Sequence, residues 1–259
     1  MIDKNLHNFF QKGFKHLDSF VETGLGPYHC GLKYCILGTV FFDHKSHNPQ
    51  VAKQAEIDES RHDFTYFSSI EIHQDYIDKA KTFWKHENSK DGASSQISKH
   101  NSLKGFKIVK GDSGVILEDT LNDLSRPSII YLDAHAHLFE NDDHDDSPLL
   151  KELEAIKRHI KKSGQKEYLI VVDDAGHIAY PAGKEFWGAR SGTVNEIKKT
   201  LQDIFEAPDE TVVVDIDYAE NIIEKKHSAK KQPHALVAGG KRNFHLCTYL
   251  KSTYKEDKQ

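Results

Sequence analysis

The chain has 259 residues, with 35 basic and 40 acidic side chains and a formal charge of -5. This length is enough to bury the core of one large α/β domain, and the mixed charges exclude a protein built around a polybasic nucleic-acid surface. No apolar run approaches the roughly 20 residues that span a bilayer, and residues 1–5 lack the apolar stretch of a secretory signal. The three cysteines, Cys30, Cys35 and Cys247, are too few for a disulfide framework, so the sequence predicts a cytoplasmic protein.

Short apolar runs rich in β-branched residues recur along the chain. Runs of this kind are typical of strands that are buried on both faces, as in a parallel sheet. The predicted strands cover residues 19–21, 65–70, 106–109, 128–132, 168–172, 211–214 and 244–250.

Amphipathic helical patterns lie between these strands, over residues 74–86, 148–160 and 193–205. The second pattern has a clear start signal, because Ser147 can cap the helix and Pro148 suits its first position. Strand–helix alternation predicts an α/β fold with a doubly wound, mostly parallel Rossmann-like sheet of about seven strands.

We expect a single domain over residues 1–259. Residues 1–18 are predicted to contain an N-terminal helix, and residues 252–259 to form a frayed tail. The first and second strands are farther apart than one strand–helix unit needs, so residues 41–62 are interpreted as an insertion after the first strand.

Five of the first six predicted strands end in an acidic residue or an acidic-glycine pair. In open α/β sheets, ligands bind at this carboxyl edge, near the point where the strand order reverses. Capping of the following helices by Asp is the alternative, and it explains one or two of these acids.

The first three strand ends suggest a nucleotide-like ligand. Gly24 and Gly26 allow a tight turn and a close backbone approach, although they do not form a full G-x-G-x-x-G fingerprint. Glu71 ends the second strand, where an acid can accept hydrogen bonds from ribose hydroxyls. Asp112 and Ser113 follow the third strand, where they could contact an adenine edge.

These motifs resemble those of the class I S-adenosylmethionine (SAM)-dependent methyltransferases. More narrowly, they resemble a methyltransferase-like family with Leu-Asp-Ala-His and Asp-Asp-Ala motifs, in order over roughly residues 19–214. The matching segments are Glu22-Thr23-Gly24, Ile70-Glu71-Ile72 with Tyr76, Gly111-Asp112-Ser113, Leu132-Asp133-Ala134-His135, Pro148-Leu149-Leu150-Lys151-Glu152-Leu153 and Asp173-Asp174-Ala175. The resemblance implies SAM as cofactor, with Glu22, Gly24, Gly26, Glu71, Asp112, Ser113 and Asp133 as its binding residues.

Asp133 follows the fourth strand, and Asp173 and Asp174 follow the fifth. Adjacent parallel strands lie about 5 Å apart, so these carboxylates can converge on one cation. Oxygen ligands suit Mg²⁺, with Mn²⁺ or Ca²⁺ as alternatives. The arrangement is similar to that of metal-dependent O-methyltransferases of the catechol, caffeoyl-CoA and macrolide-sugar types. The alternative is that these acids contact SAM and cap helices without a metal.

Of the 17 histidines, His135, His137 and His177 fall at this edge. His135 and His137 are the candidate general bases on an acceptor hydroxyl, with Asp133 as the third predicted catalytic residue. The catechol-type enzymes have Lys three residues after the metal-binding Asp, where this chain has Ala136, so the base differs or the metal contributes more. Alternatively, the two histidines form a structural pair.

The sequence therefore predicts SAM-dependent O-methylation of a small hydroxylated acceptor, with a divalent metal as an optional assistant. It predicts no sequence-specific nucleic acid or membrane partner and leaves a homo-oligomer open. One alternative is an arginase-like binuclear-metal hydrolase, since Asp133-Ala134-His135 and Asp215-Ile216-Asp217 resemble its motifs, although His137 stands where that family has Asp. A catalytically inactive SAM-fold binding module is the other.

Overall fold

A computed structural model of the protein describes residues 2, 4–14, 16–27, 30–37, 64–88, 103–124, 126–134, 147–175, 194–206, 211–216 and 235–240. Seven strands and six helices lie in these residues. The strands are β1 (Ser19–Thr23), β2 (Tyr66–Glu71), β3 (Gly105–Lys110), β4 (Ser128–Leu132), β5 (Tyr168–Val172), β6 (Thr211–Ile216) and β7 (Ala235–Gly240). The helices are α1 (Lys4–Gly13), α2 (Cys30–Leu37), α3 (Gln74–Asn88), α4 (Ser113–Leu124), α5 (Leu149–Ser163) and α6 (Val194–Ile204).

All seven strands form one sheet in the order β3-β2-β1-β4-β5-β7-β6. The first five strands pair in parallel, and β7 is antiparallel to both β5 and β6. The predicted α/β fold with a doubly wound, mostly parallel Rossmann-like sheet is therefore confirmed. Because β1 lies between β2 and β4, the chain reverses its direction of winding there, and ligands bind at such a switch point.

Alternate residues of the strands support two separate hydrophobic cores, because successive side chains point to opposite faces of a sheet. Phe20, Phe67 and Tyr131 belong to one core, which also includes residues of α1, α2 and α3. Val21 and Ile130 belong to the other, together with residues of α4, α5 and α6. We call these the α1 face and the α4 face of the sheet.

Six of the predicted strands occur within about two residues of their predicted limits, the usual uncertainty of strand ends. The seventh predicted strand, 244–250, lies outside the described residues, and the last strand in the described part of the chain, β7, was not predicted. Helix α5 begins at Leu149, one residue later than predicted. The predicted cap is wrong by one residue, because Pro148 occupies the capping position and no side chain caps the helix there. Ser147 precedes the cap, and its Oγ accepts only a long hydrogen bond from the Leu149 N–H at 3.4 Å.

Helix α1 lies within the predicted N-terminal helical segment. The predicted insertion 41–62 and tail 252–259 lie outside the described residues, and the single-domain organisation stays a prediction. No helix in the described part of the chain is long and apolar enough to cross a membrane.

Candidate functional site

The carboxyl ends of four neighbouring strands stand level at the switch point. Backbone pairing continues one residue past the strands: Gly24 N–H donates to the Ile70 carbonyl, Asp133 N–H to Thr23 and Asp173 N–H to Leu132, each at 3.0 Å. The structure therefore places Glu71, Gly24, Asp133 and Asp173 in one row across β2, β1, β4 and β5, as their positions at strand ends predict.

Position 24 requires glycine because the backbone that follows β4 passes very close to it. Its φ is +75°, and a Cβ there would lie 2.4 Å from the Asp133 carbonyl oxygen and 2.7 Å from the Ala134 Cα. The backbone after β4 thus makes a close approach at Gly24, and the predicted contact of Gly24 with a cofactor stays a prediction. Gly26 also has a left-handed φ, +61°, but a Cβ on it would meet nothing within 4 Å among the described residues.

Glu71 joins two of the predicted cofactor segments. Its side chain is 4% exposed, and Oε2 accepts a hydrogen bond from the Gly26 N–H at 3.0 Å while Oε1 accepts one from the His73 N–H at 2.8 Å. The acid at the end of β2 therefore orders the glycine loop that follows β1. Each carboxylate oxygen has a second lone pair that can accept from a ligand hydroxyl.

Glu22 lies inside β1 and is wholly buried. Its Oε1 accepts a hydrogen bond from the Gly31 N–H at 3.1 Å, and a Cβ on Gly31 would lie 2.3 Å from that oxygen, so the first turn of α2 rests on the carboxyl group. Its Oε2 has no hydrogen-bond partner in the described residues. Burial raises the pKa of Glu22 well above its ordinary value, and the nearby charges of Asp133 and Glu71 raise it further.

Asp133, Asp173 and Asp174 converge as their strand positions predict. Each offers a carboxylate oxygen, and these oxygens lie within 4.8 Å of one another. Asp173 is wholly buried, and Asp174 has a φ of +47°, a backbone conformation that Asp tolerates better than most residues. At an effective dielectric constant of about 20, two full charges at this separation repel by at least about 3 kcal/mol. A bound cation would relieve this repulsion.

Tyr131 is a buried partner of this carboxylate cluster that sequence reasoning missed. Its hydroxyl donates a hydrogen bond to Asp173 Oδ2 at 2.5 Å. Burial raises the pKa of Tyr131 well above 10, and the charges of Asp173 and Asp133 add to this effect, so the phenol stays protonated and remains a donor. A tyrosine within an apolar strand is typical of core packing, and its only sequence signal is its place two residues before Asp133.

Asp112 caps helix α4, so for this acid the structure supports the alternative that acids at strand ends cap the helices that follow. Its Oδ1 accepts a hydrogen bond from the Gly114 N–H at 2.8 Å, and its carbonyl accepts one from Val115 at 3.0 Å. Ser113 beside it is buried. The predicted adenine contact of these two residues stays a prediction. Two exposed apolar side chains lie at the same edge, Ile72 at 40% exposure and Val115 at 68%. Ile72 belongs to a motif of the predicted family, whereas Val115 was not singled out from the sequence.

The described residues do not test several of the predicted site residues, and they place one of them elsewhere. His135, His137 and His177, the candidate bases, lie outside the described residues. Asp215, from the arginase-like alternative, lies on β6, two strands away from β5, and accepts a hydrogen bond from Lys198 Nζ at 2.7 Å. Asp217 of that motif also lies outside the described residues, so the described part of the chain lends the hydrolase no support.

No protein-family model matches the chain, and no curated protein matches it. Solved structures similar to it include the methyltransferase domain of a bacterial CtHen1, with 10% identity, a TM-score of 0.42, and coverage of 86% of this chain and 90% of that one. A SAM-dependent methyltransferase from Archaeoglobus fulgidus has 9% identity and a TM-score of 0.42, with 90% of each chain covered. PigF with SAH has 11% identity and a TM-score of 0.32, with 89% of this chain and 53% of that one covered.

The fold assignment rests on the sheet. Its seven strands, their order and the antiparallel β7 give this chain a mostly parallel, Rossmann-like α/β fold, which is the fold that the motif resemblance to class I SAM-dependent methyltransferases implies. The narrower Leu-Asp-Ala-His family stays a prediction.

Proposed function

We propose that this protein is a SAM-dependent methyltransferase that methylates a hydroxyl oxygen of a small acceptor with the help of a divalent metal. The observation that carries the proposal is the level row of Glu71, Gly24, Asp133 and Asp173 at the switch point of the sheet. One end of this row continues into the glycine loop, and the other into the three-carboxylate cluster. A cationic cofactor and a metal-assisted acceptor would thus meet at one edge.

The groups after β1 and β2 suit SAM, which carries a ribose diol, an adenine ring and two positive centres. Glu71 has lone pairs left for the ribose hydroxyls, and the exposed Ile72 beside it offers an apolar surface to the adenine ring. Glu22 Oε2 is a buried acceptor without a partner in the described residues, so a positively charged donor would stabilise its ionised form.

Asp133, Asp173 and Asp174 fit a divalent ion because they supply only oxygen ligands. This donor set suits Mg²⁺ or Mn²⁺, with Ca²⁺ as a further option. Such an ion lowers the pKa of a bound hydroxyl and orients it. In methyl transfer an oxygen–carbon bond forms while the carbon–sulfur bond breaks, so the chain must align the acceptor and remove its proton. We propose that His135 or His137 accepts this proton and that Asp133 positions the acceptor.

The acceptor is proposed to be a small molecule of the cytoplasm, bound without nucleic acid or membrane; a homo-oligomer stays open. Calorimetric titration with SAM and with S-adenosylhomocysteine, with and without Mg²⁺, tests the cofactor. Saturable binding is expected, and Glu71→Ala should weaken it by removing the bonds to Gly26 and His73. Asp123→Ala is the matched control, since this exposed acid at the end of α4 pairs with Lys107 at 2.9 Å. Flat titrations would refute the proposal.

The metal is tested separately by Mn²⁺ titration followed by electron paramagnetic resonance. One Mn²⁺ per chain is expected, and Asp174→Asn should weaken its binding while Asp123→Asn leaves it unchanged. Two tightly held Mn²⁺ per chain would favour the hydrolase alternative. SAM binding without turnover on a panel of hydroxylated acceptors would favour the inactive binding module.

A further inference from the structure

We infer that Tyr131 is a positioning residue for the metal-binding carboxylates. Its buried phenol fixes the Asp173 carboxylate in the orientation that completes the cluster with Asp133 and Asp174. This inference rests on the metal part of the proposed function.

The contact is well suited to hold a carboxylate in one orientation. Tyr131 and Asp173 are both wholly buried, and the phenol donates to Oδ2 at 2.5 Å. The ring is held by the core of the α1 face, where its centroid lies 5.7 Å from that of Phe20. Asp173 is fixed at the backbone as well, since its N–H donates to the Leu132 carbonyl at 3.0 Å. Rotation of the carboxylate would break this buried hydrogen bond, which is unfavourable.

The register explains why this tyrosine reaches this aspartate. Tyr131 pairs with Val171 across β4 and β5, and Asp173 follows Val171 by two residues, so both side chains point to the α1 face. Asp133 directly follows β4, two residues beyond Tyr131, where backbone pairing continues through its N–H to the Thr23 carbonyl, so it lies on the same side of the sheet. The phenol thus lies beneath the cluster, where hydrogen-bond donors orient the ligands of a metal.

A separate observation points to a cation at this edge of the sheet. Glu22 Oε2 is buried and has no hydrogen-bond partner in the described residues, and Glu22 feels the charge of Asp133. Glu22 and Asp173 are both wholly buried, and two buried carboxyl groups so close to the partly buried Asp133 and Asp174 are costly unless a positive group binds near them.

Tyr131→Phe tests the inference, because it keeps the ring and removes only the donor. We expect Mn²⁺ binding to weaken about 10- to 100-fold, the usual effect of losing a group that orients a metal ligand. The affinity for S-adenosylhomocysteine should be retained. Tyr168→Phe is the matched control: Tyr168 is also a buried strand tyrosine, and its hydroxyl bonds to His159 Nε2 at 2.7 Å on the α4 face. It should lose stability without losing Mn²⁺ affinity.

Unchanged Mn²⁺ affinity in Tyr131→Phe, or an equal loss in Tyr168→Phe, would overturn the inference and leave the proposed function standing. If the wild-type chain binds no Mn²⁺, the metal part of the proposed function fails and the inference fails with it. The titration with S-adenosylhomocysteine reports on the methyltransferase part independently. If Tyr131→Phe unfolds too readily, the titrations of all three proteins are repeated in concentrated sucrose, which favours the compact state.

Discussion

Gly24→Ala should be the most damaging glycine substitution at the carboxyl edge. A left-handed φ of +75° costs an L-residue roughly 1–2 kcal/mol, and part of that is offset because Ala restricts the unfolded chain by about 0.4–1 kcal/mol. The new Cβ would also lie 2.4 Å from the Asp133 carbonyl oxygen, and such overpacking typically costs about 1–3 kcal/mol. The free energy of unfolding should therefore fall by about 2–4 kcal/mol.

Two other glycines separate these contributions. Gly26 and Gly164 have φ values of +61° and +69°, and a Cβ on either would meet nothing within 4 Å in the described structure. Their Ala variants should lose only about 1 kcal/mol, the cost of the left-handed conformation. Urea unfolding with linear extrapolation measures all three. If Gly24→Ala is no less stable than Gly164→Ala, the close packing of the loops after β1 and β4 is refuted.

Three further outcomes follow from pKa shifts. Burial raises the pKa of Glu22 above 4.5, so Glu22 stabilises the folded chain below pH 4.5 and this stabilisation is lost as the pH rises through the raised pKa. In urea unfolding, Glu22→Gln should therefore remove the decline in stability. Parallel plots of stability against pH for the wild type and the variant would contradict this. Burial lowers the pKa of His159 below 6.5, so the stability that neutral His159 contributes is lost as the pH falls. The free energy of unfolding of His159→Gln should therefore fall less steeply toward acidic pH. An equally steep fall in the wild type and the variant would argue against this. Burial raises the pKa of Cys30 to about 12, so mass spectrometry should find it alkylated much more slowly in the folded than in the unfolded chain; equal rates would disprove the shift.

Strands β4 and β5 were predictable because strands buried on both faces form uninterrupted apolar runs. Strands β3 and β6 are only partly buried, and their β-branched and aromatic residues made them recognisable. Strand β7 was not predictable, since Ala235–Gly240 is rich in Ala and Gly, which have low strand propensity, and it gains its place by pairing with β5 and β6. Helix α4 also went unpredicted. Its first turn contains Gly114, which weakens a helical pattern, and Asp112 starts it by capping from within a predicted cofactor motif.

The convergence of Asp133 with Asp173 was predictable, because each follows a strand and the two strands are neighbours in the sheet. The hydrogen bond from Tyr131 was not, because it depends on the register and on the face to which each residue points. A close approach at Gly24 was expected from its position, but its approach to the backbone after β4 was not, because that contact depends on the pairing of β1 with β4.

Asp133 links the two halves of the candidate site. Its N–H bonds to Thr23, its carbonyl lies against Gly24, and its charge raises the pKa of Glu22. Its own carboxylate belongs to the cluster with Asp173. Because β4 lies beside β1 at the switch point, one residue contacts both the predicted cofactor loop and the predicted metal ligands. In the proposed reaction the methyl donor and the acceptor would meet beside Asp133, since transfer requires them to be aligned within a few ångströms.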